Sequence, residues 1–202
     1  MSYLSARFFD WVQGAAFYHD AHQQAVALLP TGSGRSWLDI GCGPGLLAHL
    51  AAQRGYTAMG VDPDAAMLQR ARRHTPSRST AQFQQGDLAA AMAMPPADVV
   101  SAASLLFVLP DPSTALQQLW RCVRPGGHLL VVETSRTMTP AHARAVRHLL
   151  PASRRLALHF WARARNGNAV DARCFAAVPA QSSQCTPLLH GMLHAWVLHK
   201  AR

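Results

Sequence analysis

Leu38-Asp39-Ile40-Gly41-Cys42-Gly43-Pro44-Gly45 is the stretch that decides how this chain folds. Trp37 to Ile40 predicts a buried strand that runs straight into a turn with glycine at every second position. Glycine gives such a turn its left-handed conformations and leaves room for a ligand to approach the backbone. Pro44 suits the first turn of a following helix, with Leu46, Leu47, Leu50 and Ala51 on one face and Gly55 as its stop. Tyr56 to Val61 predicts a second strand with Asp62 at its end, 21 residues after Gly41. An acid placed ~20 residues after such glycines is the one that accepts hydrogen bonds from ribose hydroxyls in nucleotide-binding folds.

Outward from there the pattern repeats. Asp64 can cap a helix with Met67, Leu68 and Ala71 inward, ended near Pro76, and Ala81 to Gln85 is a weaker third strand. Ala97 to Ala103 is a fourth strand. Asp111-Pro112 opens a helix with Leu116, Leu119, Trp120 and Val123 inward, closed by Pro125-Gly126-Gly127. His128 to Glu133 is a fifth strand, apolar enough to be covered on both faces. This alternation is the signature of an α/β, doubly wound sheet. Ser5 to Leu29 reads as helical with a break at Gly14. Thr139 to Arg165 reads as helices divided near Pro151, and Arg173 to Val178 and Met192 to Lys200 as a final pair of strands. No Gly- or Ser-rich linker separates these parts, so one domain over residues 1–202 is expected. Within it, 1–30 and 136–170 are mainly helical, 31–135 carry the strand-helix alternation and 171–202 are terminal strands.

The length of 202 residues, half of them hydrophobic and 14% charged, excludes disordered, collagen-like and disulfide-dense classes. The longest weakly polar run, Val99 to Pro110, is too short to cross a bilayer. Asp10, Gln13, His19 and Asp20 interrupt any secretory apolar segment, and Cys42, Cys122, Cys174 and Cys185 form no framework spacing. A cytoplasmic protein with reduced thiols is expected. The net charge of +9 comes from 18 Arg and one Lys against nine Asp and one Glu. Such a balance keeps nucleic acid and anionic small molecules among the candidate partners.

A dinucleotide fingerprint places its third glycine three residues after the second, where this chain has Leu46; Gly45 comes two residues after Gly43. That spacing disfavours a nicotinamide-dependent oxidoreductase. Leu38 to Gly45 resembles motif I of the class I S-adenosylmethionine-dependent methyltransferases. The resemblance continues through Gly60 to Leu68, Gln85 to Leu88, Asp98 to Val100 and Leu119 to Leu129. It covers about residues 30–135 and is nearest the small-molecule, ubiquinone- and menaquinone-biosynthesis-like (type 11) branch. It implies a Rossmann-like, mostly parallel seven-stranded sheet with an antiparallel C-terminal strand, in which 1–30 caps the cofactor-binding core of 31–135 and the helices of 136–170 shape the acceptor site.

The resemblance also implies site residues. Asp39 and the turn Gly41, Cys42, Gly43 and Gly45 hold the methionine moiety of S-adenosylmethionine, with Cys42 as a small filler. Asp62 holds the ribose, and Pro63 and Met67 line the adenine pocket. Gly86, Asp87 and Leu88 stand at the adenine end, Asp87 and the Leu88 backbone meeting the adenine amino group. Ser101, Ala102, Ala103 and Ser104 lie beside the sulfonium. Each has a plainer reading: Asp87 and Asp62 as helix or turn caps, Met67 as ordinary packing.

Methyl transfer from a sulfonium is an in-line displacement by an acceptor, which the protein must align and shield from water. The fourth strand is not followed by the Asn/Asp-Pro-Pro-aromatic tetrapeptide of base-amine methylation, and Ala102 to Leu109 holds no acid for a catalytic metal. The expected function is therefore metal-independent methylation of a small molecule, giving S-adenosylhomocysteine. Two alternatives stay open: an idle S-adenosylmethionine-binding subunit, and a basic RNA methyltransferase. His19 and His22 share a helix face, more readily solvated than catalytic. His159 falls in the acceptor segment. His190 and His194, on the expected strand, would lie ~13 Å apart, too far to share one ion. Arg144, Arg147, Arg154, Arg155, Arg163 and Arg165 read as a solvated surface or as a lid for an anionic acceptor.

Overall fold

In a computed structural model the strand-helix alternation closes into one seven-stranded sheet; the structure describes residues 11–12, 14–150 and 155–202. The strands are β1 (Ser36–Ile40), β2 (Thr57–Asp62), β3 (Gln82–Gln85), β4 (Ala97–Ala103), β5 (Val123–Thr134), β6 (Ser182–Leu188) and β7 (Leu193–His199). The helices are α1 (Ala16–Ala27), α2 (Leu46–Gln53), α3 (Ala65–Arg73), α4 (Leu88–Met92), α5 (Pro112–Arg121), α6 (Pro140–Val146), α7 (Arg155–Arg165) and α8 (Arg173–Ala176).

The sheet order is β3-β2-β1-β4-β5-β7-β6. The first five strands are parallel, and β7 runs antiparallel between β5 and β6, with Glu133 opposite His194. This is the Rossmann-like sheet the sequence implies, with its reversed C-terminal strand. Chain direction along the sheet reverses between β1 and β4, which opens a crevice outside their C-terminal ends.

Both faces are covered, which explains the near-continuous apolar runs of β4 and β5. Trp37, Leu130 and Val132 pack with Phe17, Tyr18, Leu47, Leu50 and Trp161 beneath α1, α2, α6 and α7. Leu38, Val100, Leu129 and Val131 pack with Leu116, Leu119, Trp120 and Phe175 beneath α4, α5 and α8. Local chemistry starts the helices where expected: Asp64 accepts from the Ala66 and Met67 amides, and Asp111 from those of Ser113 and Thr114 ahead of Pro112.

The far end of the sheet is fastened by Asp98. Its Oδ2 accepts from the Ser36 amide (2.9 Å) and hydroxyl (2.7 Å), and its backbone N–H donates to Ser36 Oγ. The Arg124 guanidinium pairs with Oδ1. The starts of β1, β4 and β5 are thus tied at one point.

Several expectations are corrected. Pro44 lies in the turn rather than in helix: α2 begins at Leu46, and its first intrahelical bond runs from the His49 amide to the Gly45 carbonyl. Arg173 to Ala176 is helical, because Phe175 and Val178 are three residues apart and reach the same core. The penultimate strand is Ser182–Leu188, a polar edge with mostly exposed side chains. His190 sits in the tight turn before β7 with φ of 53°, not on a strand with His194. The expected helix from Ser5 to Asp10 and the break near Pro151 lie outside the described residues.

Candidate active site

The crevice at the β1/β4 reversal is a cleft of about 440 Å³. Gly41, Gly43 and Pro44 form its floor, Asp62, Pro63, Asp64 and Met67 one wall, and Ala103, Ser104, Leu105, Val108 and Leu109 the other. A smaller cavity of about 20 Å³ shares the lining residues Gly41 and Ala103 with it, and is lined as well by Tyr18, His22, Asp39, Cys42, Leu46 and Leu47.

The turn has φ of +69° at Gly41 and +86° at Gly45, conformations that side-chain-bearing residues resist. Their missing side chains serve different neighbours. A Cβ on Gly41 would come within 2.8 Å of the Leu105 side chain, on the cleft wall. A Cβ on Gly45 would come within 2.6 Å of the Phe83 ring, so Gly45 admits helix-to-strand packing.

Asp62 is 7% exposed and closes the turn as well as lining the cleft. Its Oδ2 accepts from the Gly43 amide (2.8 Å) and its Oδ1 from the Asp64 amide (2.9 Å). Burial pushes its carboxyl above the usual range, and these amide bonds oppose that rise. Asp39 is buried beneath the turn, where its Oδ1 accepts from Ser101 Oγ at 2.6 Å, and Ser101 in turn accepts from Trp37 Nε1 at 2.8 Å. Burial lifts the Asp39 carboxyl to about 7. The site thus holds two acid side chains, Asp39 ahead of the Gly turn and Asp62 against its Gly43 amide, whose charged forms a cationic ligand would favour.

Of the residues singled out in the sequence, Gly41, Gly43, Asp62, Pro63, Met67 and Ala103 line the cleft, and Asp39 and Cys42 join Gly41 at the small cavity. Burial pushes the Cys42 thiol up, away from nucleophilic chemistry. Gly45, Gly86, Asp87, Leu88, Ser101 and Ala102 line neither space. Asp87 is exposed and caps α4 through the Ala90 amide at 2.9 Å. Ser101 and Ala102 are fully buried within β4, whereas Ser104, singled out with them, lines the cleft.

The basic segment divides in two. Arg144, Arg147 and Arg155 line an exposed groove with His159 between α6 and α7, while Arg154 lies outside the described residues. Arg165 leaves that surface altogether. It is buried, with its guanidinium 3.7 Å from the centroid of the Phe107 ring. Beside it lies Glu133, whose Oε1 accepts from the Leu106 amide at 2.8 Å and whose carboxyl burial lifts to about 7. This buried pair anchors the one-turn helix Leu106–Val108, the element whose flanks form the cleft wall.

Residues 38–131 match the family described as "Methyltransferase domain". The stretch is similar to that family's methyltransferase domain over 94 of the 202 residues. Its relatives include ubiquinone biosynthesis O-methyltransferase of Pseudomonas fluorescens (strain SBW25), 38% identical over 100 residues, covering 48% of this chain and 43% of the relative. Trans-aconitate 2-methyltransferase of Azoarcus sp. (strain BH72) is 34% identical over 124 residues, covering 60% of this chain and 48% of the relative. The chain thus spans about half the length of the curated relatives it matches. Among solved structures, magnesium protoporphyrin IX methyltransferase from Synechocystis PCC 6803 with bound SAH shares the fold at a TM-score of 0.69 and 15% identity, over 98% of this chain and 95% of that one. The matched residues of the methyltransferase domain run from β1 to β5; α1 and everything after Val131 lie outside them.

Three features of the site were missed in the sequence. His22 is buried rather than solvated, although Tyr18, His22 and Val26 stand four residues apart in register with the apolar face of α1. Glu133 is the sole glutamate of the chain and directly follows the apolar run Leu129 to Val132, a signal in itself. Leu105, Val108 and Leu109 look like core residues in sequence and gave no sign of facing a cleft.

Proposed function

We propose that the chain binds S-adenosylmethionine in the cleft and catalyses transfer of its methyl group to a small organic acceptor. The observation that carries this reading is the crevice at the sheet reversal, where the Gly41–Gly43 turn and the Asp62 carboxylate enclose one space. Asp62 fits the ribose because each carboxylate oxygen, already held by one backbone amide, keeps a further lone pair for a hydroxyl. Met67 and Pro63 on one wall and Leu109 on the other supply apolar surface for a base, and Asp39 is assigned to the amino-acid tail.

When bound, the sulfonium supplies an activated methyl donor, so the reading needs no metal. The protein's own part is to hold the two reactants in line and keep water away. Leu105 and Val108 do the second, and Glu133 with Arg165 fixes the turn that carries them. Residues 136–170 shape the acceptor side in this reading: Arg165 of that segment rests directly on the loop bordering the cleft. The acceptors named for the relatives, a ubiquinone precursor pathway and trans-aconitate, support a small molecule over RNA. The free state of all four cysteines agrees with a cytoplasmic setting.

Calorimetric titration with S-adenosylhomocysteine and, separately, NAD tests the cofactor; the homocysteine product is expected to bind and NAD not. Transfer of labelled methyl to a panel of small carboxylic acids and phenols then tests the reaction. Tighter binding of NAD would overturn the first half. Binding of the product with no acceptor turned over anywhere in a broad panel would favour the idle binder.

A further inference from the structure

The described residues leave a buried nitrogen unsatisfied next to the cleft. His22 is 1% exposed, and its Nδ1 lies 2.8 Å from the Tyr18 carbonyl oxygen. A carbonyl only accepts, so Nδ1 carries the proton and donates. Burial holds the ring's pKa down at about 4, so the imidazole is neutral at ordinary pH and its Nε2 presents a bare lone pair. Nε2 is buried with no hydrogen-bond partner among the described residues. The ring cannot turn away freely, because it stacks on Tyr18 with centroids 4.0 Å apart.

His22 and Asp39 line the same small cavity of about 20 Å³, and this cavity shares the lining residues Gly41 and Ala103 with the large cleft. Its volume holds about one water-sized group. Both side chains that line it carry acceptors, and a cation brought beside Asp39 would favour its charged form. The complementary occupant is compact, cationic and rich in N–H donors. A carboxylate is the wrong partner, since it would meet a lone pair and a second carboxyl.

We propose that His22 reads the α-ammonium group of the methyl donor's amino-acid tail, its Nε2 and the Asp39 carboxylate each receiving an N–H bond from that one group. The inference rests on the cofactor reading given above and adds a residue outside the matched methyltransferase domain. It explains why a helix face otherwise built of Phe17, Tyr18, Ala21, Ala25 and Val26 carries a histidine at its centre.

The test compares S-adenosylhomocysteine with the 3-carboxypropyl thioether of adenosine, which lacks only the α-amino group. Both are titrated calorimetrically into the wild-type chain and into His22→Leu, which preserves bulk and removes the lone pair. The wild type is expected to prefer the amino-bearing ligand, and His22→Leu to lose roughly tenfold to a hundredfold in affinity for it. Affinity for the des-amino ligand should stay within about twofold. Equal losses for both ligands would make His22 a packing residue and overturn the inference while leaving the cofactor reading intact. A wild type that binds neither ligand would instead remove the cofactor reading itself. Should the variant fail to fold, nitrogen NMR of the wild type with labelled histidine decides. The Nε2 resonance of His22 should move on adding the amino-bearing ligand and hold still with the other, and identical movement with both would refute the assignment.

Discussion

Substituting Gly45 by alanine separates two reasons a glycine can be needed in the turn. The residue has φ of +86°, and a Cβ there would lie 2.6 Å from Cζ and 2.7 Å from Cε1 of Phe83. A left-handed conformation costs a non-glycine residue about 1–2 kcal/mol. Forcing a methyl against a packed ring adds roughly 1–3 kcal/mol. The ring has little room to retreat, since its other atoms already press on Gly60 and its edge meets the His49 ring at 5.2 Å. Gly45→Ala should therefore lose about 2–5 kcal/mol, or roughly 4–20 °C in Tm for a chain of this size. Phe83→Leu removes the ring atoms in the way, so the double variant should recover most of the packing share and keep about 1–2 kcal/mol of backbone strain together with the close approach to the Ala71 Cβ at 3.0 Å. Urea denaturation of the four proteins yields the coupling. Strictly additive losses would show that Phe83 is not what excludes a side chain at Gly45.

Asp62→Ala should weaken S-adenosylhomocysteine binding by roughly tenfold or more, because charge-assisted bonds contribute about 1.5–3 kcal/mol each; unchanged calorimetric affinity would put the ribose elsewhere. Ser101→Ala should instead act on stability, by roughly 1–3 kcal/mol, since it strands the Trp37 Nε1 donor and takes a donor from Asp39. Its effect on ligand affinity should be much smaller than that of Asp62→Ala, and the reverse ranking would contradict the placement of Ser101 in the core. Glu133 titrates near 7 in the fold against 4.5 unfolded, so the native state holds its proton more tightly. The stability this confers is complete below about pH 4.5 and is lost as pH rises through 7. Glu133→Gln, which keeps an acceptor for the Leu106 amide, should gain on the wild type by roughly 1–3 kcal/mol between pH 5 and 8 in chemical denaturation. A constant difference across that range would argue against a buried, titrating carboxyl.

The parts of the fold legible in the sequence are those with a strong local cause. β1, β4 and β5 announce themselves because burial on both faces demands unbroken apolar runs, and Asp64 and Asp111 mark helix starts because a short acid satisfies free amides. β6 was missed for the converse reason. It is an edge whose residues Ser182, Gln184 and Pro187 owe their conformation to pairing with β7 rather than to pattern. At the site, the Gly turn and Asp62 were readable because spacing alone dictates their meeting. Which glycine faces the cleft and which faces Phe83 is a fact of packing between distant segments. Arg165 looked like one more surface cation until Glu133 of β5 and Phe107 of the one-turn helix closed around it.

The Asp98 clasp divides labour between the two rims of the sheet. Ser36, Asp98 and Arg124 lock three neighbouring strands on the side away from the cleft. Heat tolerance can accordingly be bred at that back rim, by stronger clasps of the same kind, without disturbing chemistry. The front rim, relieved of the duty of keeping the strands aligned, is free to trade one set of loops for another as acceptors change.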